Sequence, residues 1–334
     1  MNRGKGLFFL ICFFVLPLFM GAQKKYEFSH QQMGTQIGLI FYAPENMDAG
    51  AIARSVFRRI DDLNAALSNY IADSELNELG KNVNLEVNVS QDLYKILKAS
   101  ASYSERTNGA FDITLGPLIT LWKSALKRGQ LPRENEITSA MEKTGFKNME
   151  FPTDSTVILR KKGMQLDLGG IGKGFAADEA IKILKDKGID RALVDMGGDI
   201  TVSGPPPNKE YWVLGFSYFD NNGEEVFNKV RLREQAIATS GDLYQYTLID
   251  GKRYSHIIDP RNGRALSNNI QVTTIAPNGA MADAYASALS VLGIGEGKKI
   301  IKKTAGLEAF MVEDLPGRYR RWRTPGFLDH IFDN

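Results

Sequence analysis

Apolar positions along this chain recur with two periods, and the switches between them outline its elements. Ile52, Val56, Ile60, Leu63 and Leu67 fall at three- and four-residue spacing, so about 48–67 is expected to be an amphipathic helix. Ser90 is placed to cap a second helix that turns Leu93 and Leu97 inward, with Gly109 just past its end. Pro117 fits the first turn of a third helix over LITLWKSALK, and Ile137 and Met141 mark a fourth that stops near Gly145. Alternation at Val157–Leu159 and Met164–Leu168 predicts a hairpin around Lys161–Gly163. Ala177, Ile181 and Leu184 then share one face of a helix that ends at Gly188.

Beyond that helix the period of two dominates. Segments 192–197, 211–218, 229–232 and 247–250 read as strands, and Asp250-Gly251 signals a hairpin turn into RYSHII. A strand at 270–276, a helix at about 280–292 closed by Gly293, and strands at 307–312 and 318–322 complete the pattern. Pro205-Pro206-Pro207 reads as a loop rather than a domain boundary, and no internal repeat is found. Helices and strands interleave without strict βαβ alternation. The expected class is therefore α+β, with mixed or antiparallel sheets and packed helices.

The N-terminus follows another pattern. Arg3 and Lys5 precede an apolar stretch from Leu7 to Ala22 with Pro17 inside it, the layout of a secretory signal. The expected organisation is a signal peptide at 1–22 and one domain at 23–334. Retention as an anchor is the alternative, although the stretch is short for a membrane span. Cys12 is the one cysteine, so cleavage leaves no disulfide, thiol nucleophile or Cys-ligated metal. His30, His256 and His330 share no ligand spacing, so a metal here is expected to be a hard ion held by oxygen. A formal charge of +2 gives no electrostatic case for nucleic acid.

The densest chemical signal is LDLGGIGKGFAADEA, from Leu166 to Ala180. It fails the Walker pattern, because Asp167 stands where the first glycine belongs and Gly174 follows Lys173. It fails the Rossmann fingerprint on its last spacing. Glycines nonetheless let backbone N–H groups approach an anion, the helix starting near Phe175 points its positive end at the loop, and Lys173 adds a charge. A tight strand-to-helix turn with a surface lysine is the plainer reading of the same residues.

Other stretches change the balance: MGT (33–35), LSNYIADSELNEL (67–79), GAFDITLGPL (109–118), MGGDI (196–200), ATSGD (238–242), RYSHIIDPRNG (253–263) and MADAYASALSVLG (281–293). In this order, over about residues 30–320, the chain resembles the ApbE family of FAD:protein FMN transferases. The resemblance implies a T-fold-like architecture with FAD bound as substrate together with Mg2+. It further implies transfer of FMN to a threonine or serine hydroxyl of an acceptor flavoprotein with release of AMP. By similarity, Asp283, Ser287 and the Gly170 carbonyl are the magnesium ligands; Asp283 and Ser287, four apart on a predicted helix, face one way. Met33, Tyr70, Ala110, Phe111, Asp112, Asp167, Lys173 and Ile258 map to FAD-contacting positions. Lys173 is expected at the pyrophosphate, and Asp167 either at the adenosine end or orienting the loop. His256 and the metal ligand Asp283 are the candidate catalytic residues, His256 as general base, as a phosphate hydrogen-bonder, or as a structural histidine. Asp259 and Thr239-Ser240-Gly241 are expected to shape the same pocket. The resemblance and the export signal together imply a bacterial protein in the periplasm or on the periplasmic face of the inner membrane, peripherally associated. Its partner would be the acceptor subunit of a membrane redox complex. An FAD pyrophosphatase and a non-enzymatic flavin-binding protein are the rival readings.

Overall fold

A computed structural model describes residues 23–220, 222–241 and 246–332; the expected signal segment and Asp242 lie outside them. Among the described residues, the centre is an eight-stranded antiparallel sheet. Its strands are β1 (Gln23–Gln32), β2 (Thr35–Pro44), β3 (Ala192–Asp195), β4 (Ile200–Val202), β5 (Ala236–Gly241), β6 (Ile270–Ala276), β7 (Glu308–Leu315) and β8 (Arg318–Arg323). Each strand pairs with the next, so spatial order follows chain order, and all the helices but the last sit in the connections. They are α1 (Ala49–Leu67), α2 (Glu75–Lys81), α3 (Gln91–Arg106), α4 (Gly116–Arg128), α5 (Glu134–Met141), α6 (Gly172–Asp186), α7 (Gly279–Lys302) and α8 (Pro325–His330).

Alternation along the strands builds two cores, one on each face of the sheet. In β2, Ile37, Leu39, Phe41 and Ala43 pack against α1 and α6, while Ile40 and Tyr42 face the opposite layer. That layer is a hairpin of Trp212–Phe219 and Glu225–Leu232 with α8; Trp212, Leu214, Phe216 and Phe327 meet Leu193, Ile275, Phe310 and Val312 of the sheet. Two apolar faces are what a sheet buried on both sides requires.

The periodic helices fall where expected, and Asp250-Gly251 turns with φ of 49° and 73°, as a primed hairpin turn demands. Two expectations change. The strand Thr156–Leu159 pairs with Val87–Asn88 and Met149–Glu150, not with 164–168. Met164, Leu166 and Leu168 alternate because they form an extended segment with one buried face, tied at Asp167 N–H to the Ile113 carbonyl at 2.7 Å. The α7 helix breaks at Gly293 (φ 63°, ψ 178°) but resumes to Lys302. The β1–β2 hairpin, turning at Met33 and Gly34 with positive φ, and β5 are further elements the periodicity did not reveal. β1 is an edge strand of mostly polar residues, so it carries little hydrophobic signal.

Candidate active site

The glycine-rich stretch is more helical than its sequence suggests: α6 begins at Gly172, not Phe175. The Leu168 carbonyl accepts from Ile171 N–H at 3.0 Å and Gly172 N–H at 2.7 Å, closing the turn that starts the helix. None of Gly169, Gly170, Gly172 and Gly174 has positive φ. What two of them supply is closeness. A Cβ on Gly174 would stand 2.1 Å from the Gly279 carbonyl oxygen, and one on Gly170 would stand 3.0 Å from Ser287 Oγ. So α6 and α7 cross backbone against backbone.

Each of these helices caps the other. Asp283 of α7 accepts from Gly174 N–H in the first turn of α6, at 3.2 Å. Asp178 of α6 accepts from Gly279 N–H (2.6 Å) and Ala280 N–H (2.9 Å) at the start of α7, beside the Asn278 cap. Burial lifts the Asp178 pKa to about 6, against the pull of those two N–H groups.

Most of α7 is apolar and alanine-rich. Ala282, Tyr285, Ala286 and Leu289 pack on the sheet side, and Ala280, Ala284 and Ala288 join the α1–α6 core. A third stripe, Asp283, Ser287 and Val291, faces a cavity of about 670 Å³. Tyr70 and Ala110–Asp112 form one wall of it, Asp167, Gly170 and Lys173 another, and His256 with Ile258 a third. The structure thus brings together every expected catalytic, metal-ligating and FAD-contacting residue except Met33. That side chain lies outside the lining, with its Cε 3.8 Å from where a Cβ on Gly172 would be.

The local bonding separates roles. Asp167 accepts from Gly169 N–H (2.8 Å) and Asn69 Nδ2 (2.6 Å), so it orients the loop. Asp112 is likewise engaged, by Thr114 N–H and Oγ1 and Phe146 N–H, and burial raises its pKa. Tyr70 is 81% exposed, and its hydroxyl accepts from Lys123 Nζ at 2.8 Å. His256 is exposed at the rim, in the bend between Lys252–Ser255 and Ile258–Asp259. Thr239, Ser240 and Gly241 line the cavity, but Asp259 does not. Its carboxylate holds Arg261 through the backbone N–H, Nε and Nη2, fixing the Pro-Arg-Asn-Gly turn.

Asp199 is the functional residue that sequence reasoning passed over. It follows Gly197 and Gly198, both at positive φ, in the turn between β3 and β4, and it is buried against Lys173 as an ion pair. Two glycines followed by an acid between two strands was the available signal. Burial raises the Asp199 pKa, opposed by Lys173 and by Thr239 N–H. Burial disfavours the Lys173 ammonium, yet Asp199, Asp283 and Asp195 outweigh it and raise its pKa.

Asp283 is pushed up to about 8, by burial first and then by Asp199, against Lys173 and Gly174 N–H. A buried carboxylate in that state is a group that a divalent cation would return to its charged form. Ser287 Oγ and the Gly170 backbone stand beside it, so the donors present are hard oxygens of the kind magnesium takes. Among the described residues, no group of three or more His, Cys, Asp or Glu is placed to hold a metal. The expected set does not need one, because Asp283 is its only acidic member. These residues fit magnesium.

The ApbE family model matches residues 33–311. The FAD:protein FMN transferase of Escherichia coli K12 is 31% identical over 280 residues, covering 82% of this chain and 80% of its own. That of Treponema pallidum is 30% identical over 297 residues, 84% and 81% of the two chains. The flavin transferase ApbE of Vibrio cholerae superposes with a TM-score of 0.84 at 25% identity, over 92% of this chain and 100% of that one. The ApbE protein of Thermotoga maritima does so at 0.81 and 30% identity, over 93% and 100%.

Proposed function

The chain belongs to the ApbE family, and from that premise we propose that it is an FAD:protein FMN transferase. A threonine or serine hydroxyl of an acceptor flavoprotein attacks the phosphorus on the FMN side of the pyrophosphate. The new bond is Oγ–P, the bond to AMP breaks, and FMN stays on the protein as a phosphoester. The observation that carries the reading is the polar stripe of α7, Asp283 and Ser287, meeting Gly170 and Lys173 of the α6 start in one cavity.

Phosphoryl transfer leaves a protein little covalent work, so catalysis is positioning and charge neutralisation. Lys173 and the first turn of α6 present positive charge to the diphosphate, with Asp199 fixing the ammonium. Asp283, Ser287 and the Gly170 carbonyl would hold magnesium, which when bound supplies further neutralisation of the diphosphate. His256, lining the cavity yet exposed, accepts the proton of the incoming hydroxyl. Asp167 and Asp112 hold the cavity loops in shape.

The basic and apolar N-terminal segment supports export, which puts the acceptor on the outer side of the cytoplasmic membrane, as a flavoprotein domain of a redox complex. The enzyme then works in the periplasm or peripherally on that membrane face. No helix among the described residues is long and apolar enough to cross a membrane.

The test incubates the protein with FAD and magnesium, with and without an acceptor domain, and follows AMP and protein-bound flavin. Acceptor-dependent AMP release with flavin retained on the acceptor is expected. Acceptor-independent release would make it a pyrophosphatase, and FAD binding without release a flavin-binding protein. Turnover surviving in excess chelator, or in Asp283→Ala, would remove the magnesium assignment.

A further inference from the structure

Charge is unevenly spread over this protein. The whole chain is formally +2, yet residues 298–323 alone carry eight basic and three acidic side chains, so the remainder is net negative. The eight come from two elements. Lys298, Lys299, Lys302 and Lys303 are exposed at the far end of α7, past its break at Gly293. Arg318, Arg320, Arg321 and Arg323 are exposed on β8, the outermost strand of the sheet, whose sequence is RYRRWR. The two sets meet. Trp322 of β8 packs half-buried on the apolar core beneath α7, and Lys298 Nζ lies 5.0 Å from the centre of its ring. Arg320 is on the same side, opposite Glu313, which accepts from Ile294 N–H of α7 at 2.8 Å. Arg321 turns to the other side, 5.7 Å from the centre of the Tyr218 ring. The sheet edge is thus flanked by guanidinium groups on both sides, and the α7 lysines extend one of them. Among the described residues, Arg320 alone of the eight has an ion pair, to Glu313.

Each half has an ordinary use. Edge arginines discourage strand pairing, and lysines in a last turn suit the helix dipole. Neither use calls for the other cations to converge, unpaired, on one margin of a molecule that is net negative elsewhere, where they repel one another. A broad anionic surface offsets that repulsion. Trp322 and Tyr319 are half-buried rather than protruding, so the margin offers no aromatic anchor for a protein partner's pocket. Its long-stemmed cations instead match a plane of lipid phosphates, which needs no fixed geometry. We propose that the end of α7 and β8 form a docking surface for a bilayer that contains anionic lipid. This goes beyond the peripheral association proposed above by naming the surface and the lipid charge it needs. The docked margin adjoins the cavity rim, because Asp314 of β7 pairs at 3.3 Å with Arg253, in the strand that leads to His256.

The experiment sediments the full chain with vesicles of phosphatidylcholine alone and with vesicles of phosphatidylcholine mixed with phosphatidylglycerol. The apolar N-terminal segment, where retained, binds both kinds, so the readout is the preference for the anionic ones. Wild type is expected to show that preference and to lose it at high salt. Each Lys or Arg near an anionic surface strengthens binding by roughly five-fold. A variant with Lys298→Gln, Lys299→Gln, Lys302→Gln and Lys303→Gln should therefore bind anionic vesicles about a hundred-fold more weakly or worse. Arg318→Gln, Arg321→Gln and Arg323→Gln together should act in the same direction, should the lysine variant fold poorly. A control with Lys127→Gln, Lys147→Gln, Lys162→Gln and Lys187→Gln, exposed lysines on other elements, removes the same charge and should keep most of the preference. Equal binding of wild type to both vesicles overturns the inference. So does binding unchanged in both patch variants, and so does an equal loss in the control, which would reduce the effect to net charge. Patch variants that bind vesicles like wild type but need more acceptor for AMP release would give the surface to a protein instead. Absence of AMP release from wild type, with vesicle binding intact, would bring down the transferase reading and leave this one standing.

Discussion

Gly174→Ala separates packing from propensity. On helix propensity alone the change is favourable by up to about 1 kcal/mol. The structure says otherwise, because the added methyl would lie 2.1 Å from the Gly279 carbonyl oxygen. Restoring an ordinary contact of 3.4 Å moves the helices apart by about 1.3 Å at their crossing. Overpacking of this kind costs about 1–3 kcal/mol, which outweighs the propensity gain at a first-turn position. For a chain of this size the melting temperature should fall by a few degrees. Activity should fall further. The crossing carries the Asp283–Gly174 hydrogen bond and sets Lys173 against Asp283, and a misplacement of about 1 Å in a reacting geometry costs about a hundred-fold. Thermal denaturation and AMP release from FAD with acceptor check both. A variant as stable and as active as wild type would refute the close crossing as the basis of the site.

Three further outcomes follow from the same geometry. The raised Asp283 pKa, about 8, means that its contribution to metal-free stability is full below about pH 4 and is lost as pH climbs through about 8. In chelator, the wild-type melting temperature should therefore fall more steeply between about pH 6 and pH 9 than that of Asp283→Ala, and added magnesium should raise it more at pH 8.5 than at pH 6; a larger magnesium effect at the lower pH contradicts the assignment. His256→Ala should lower kcat by about 10²- to 10⁴-fold with little change in FAD affinity, and an equal loss of both in a titration would make His256 a binding residue. Asp178→Asn turns an amide –NH2 toward one of the Gly279 and Ala280 N–H groups, which should cost about 1–3 kcal/mol; an unchanged melting temperature would show that the reciprocal capping is dispensable.

What was legible in the sequence was whatever one element records by itself. The apolar stripe of α1, the turn at Asp250-Gly251 and the common face of Asp283 and Ser287 each depend on spacing along a single segment, and each is found. The family order of short stretches brought in residues that spacing could not link, such as Tyr70, Lys173 and His256. The alternation at 164–168 predicts a hairpin with 157–159, but the segment has one buried face without that partner, since a period of two does not say which strand lies alongside. Only the tertiary structure decided why the glycines are glycine, because their reason lies across a helix crossing rather than in their own φ angles. Only it brought Asp199 to Lys173 and Asp283, three charges from separate segments whose ionisation depends on burial and on one another.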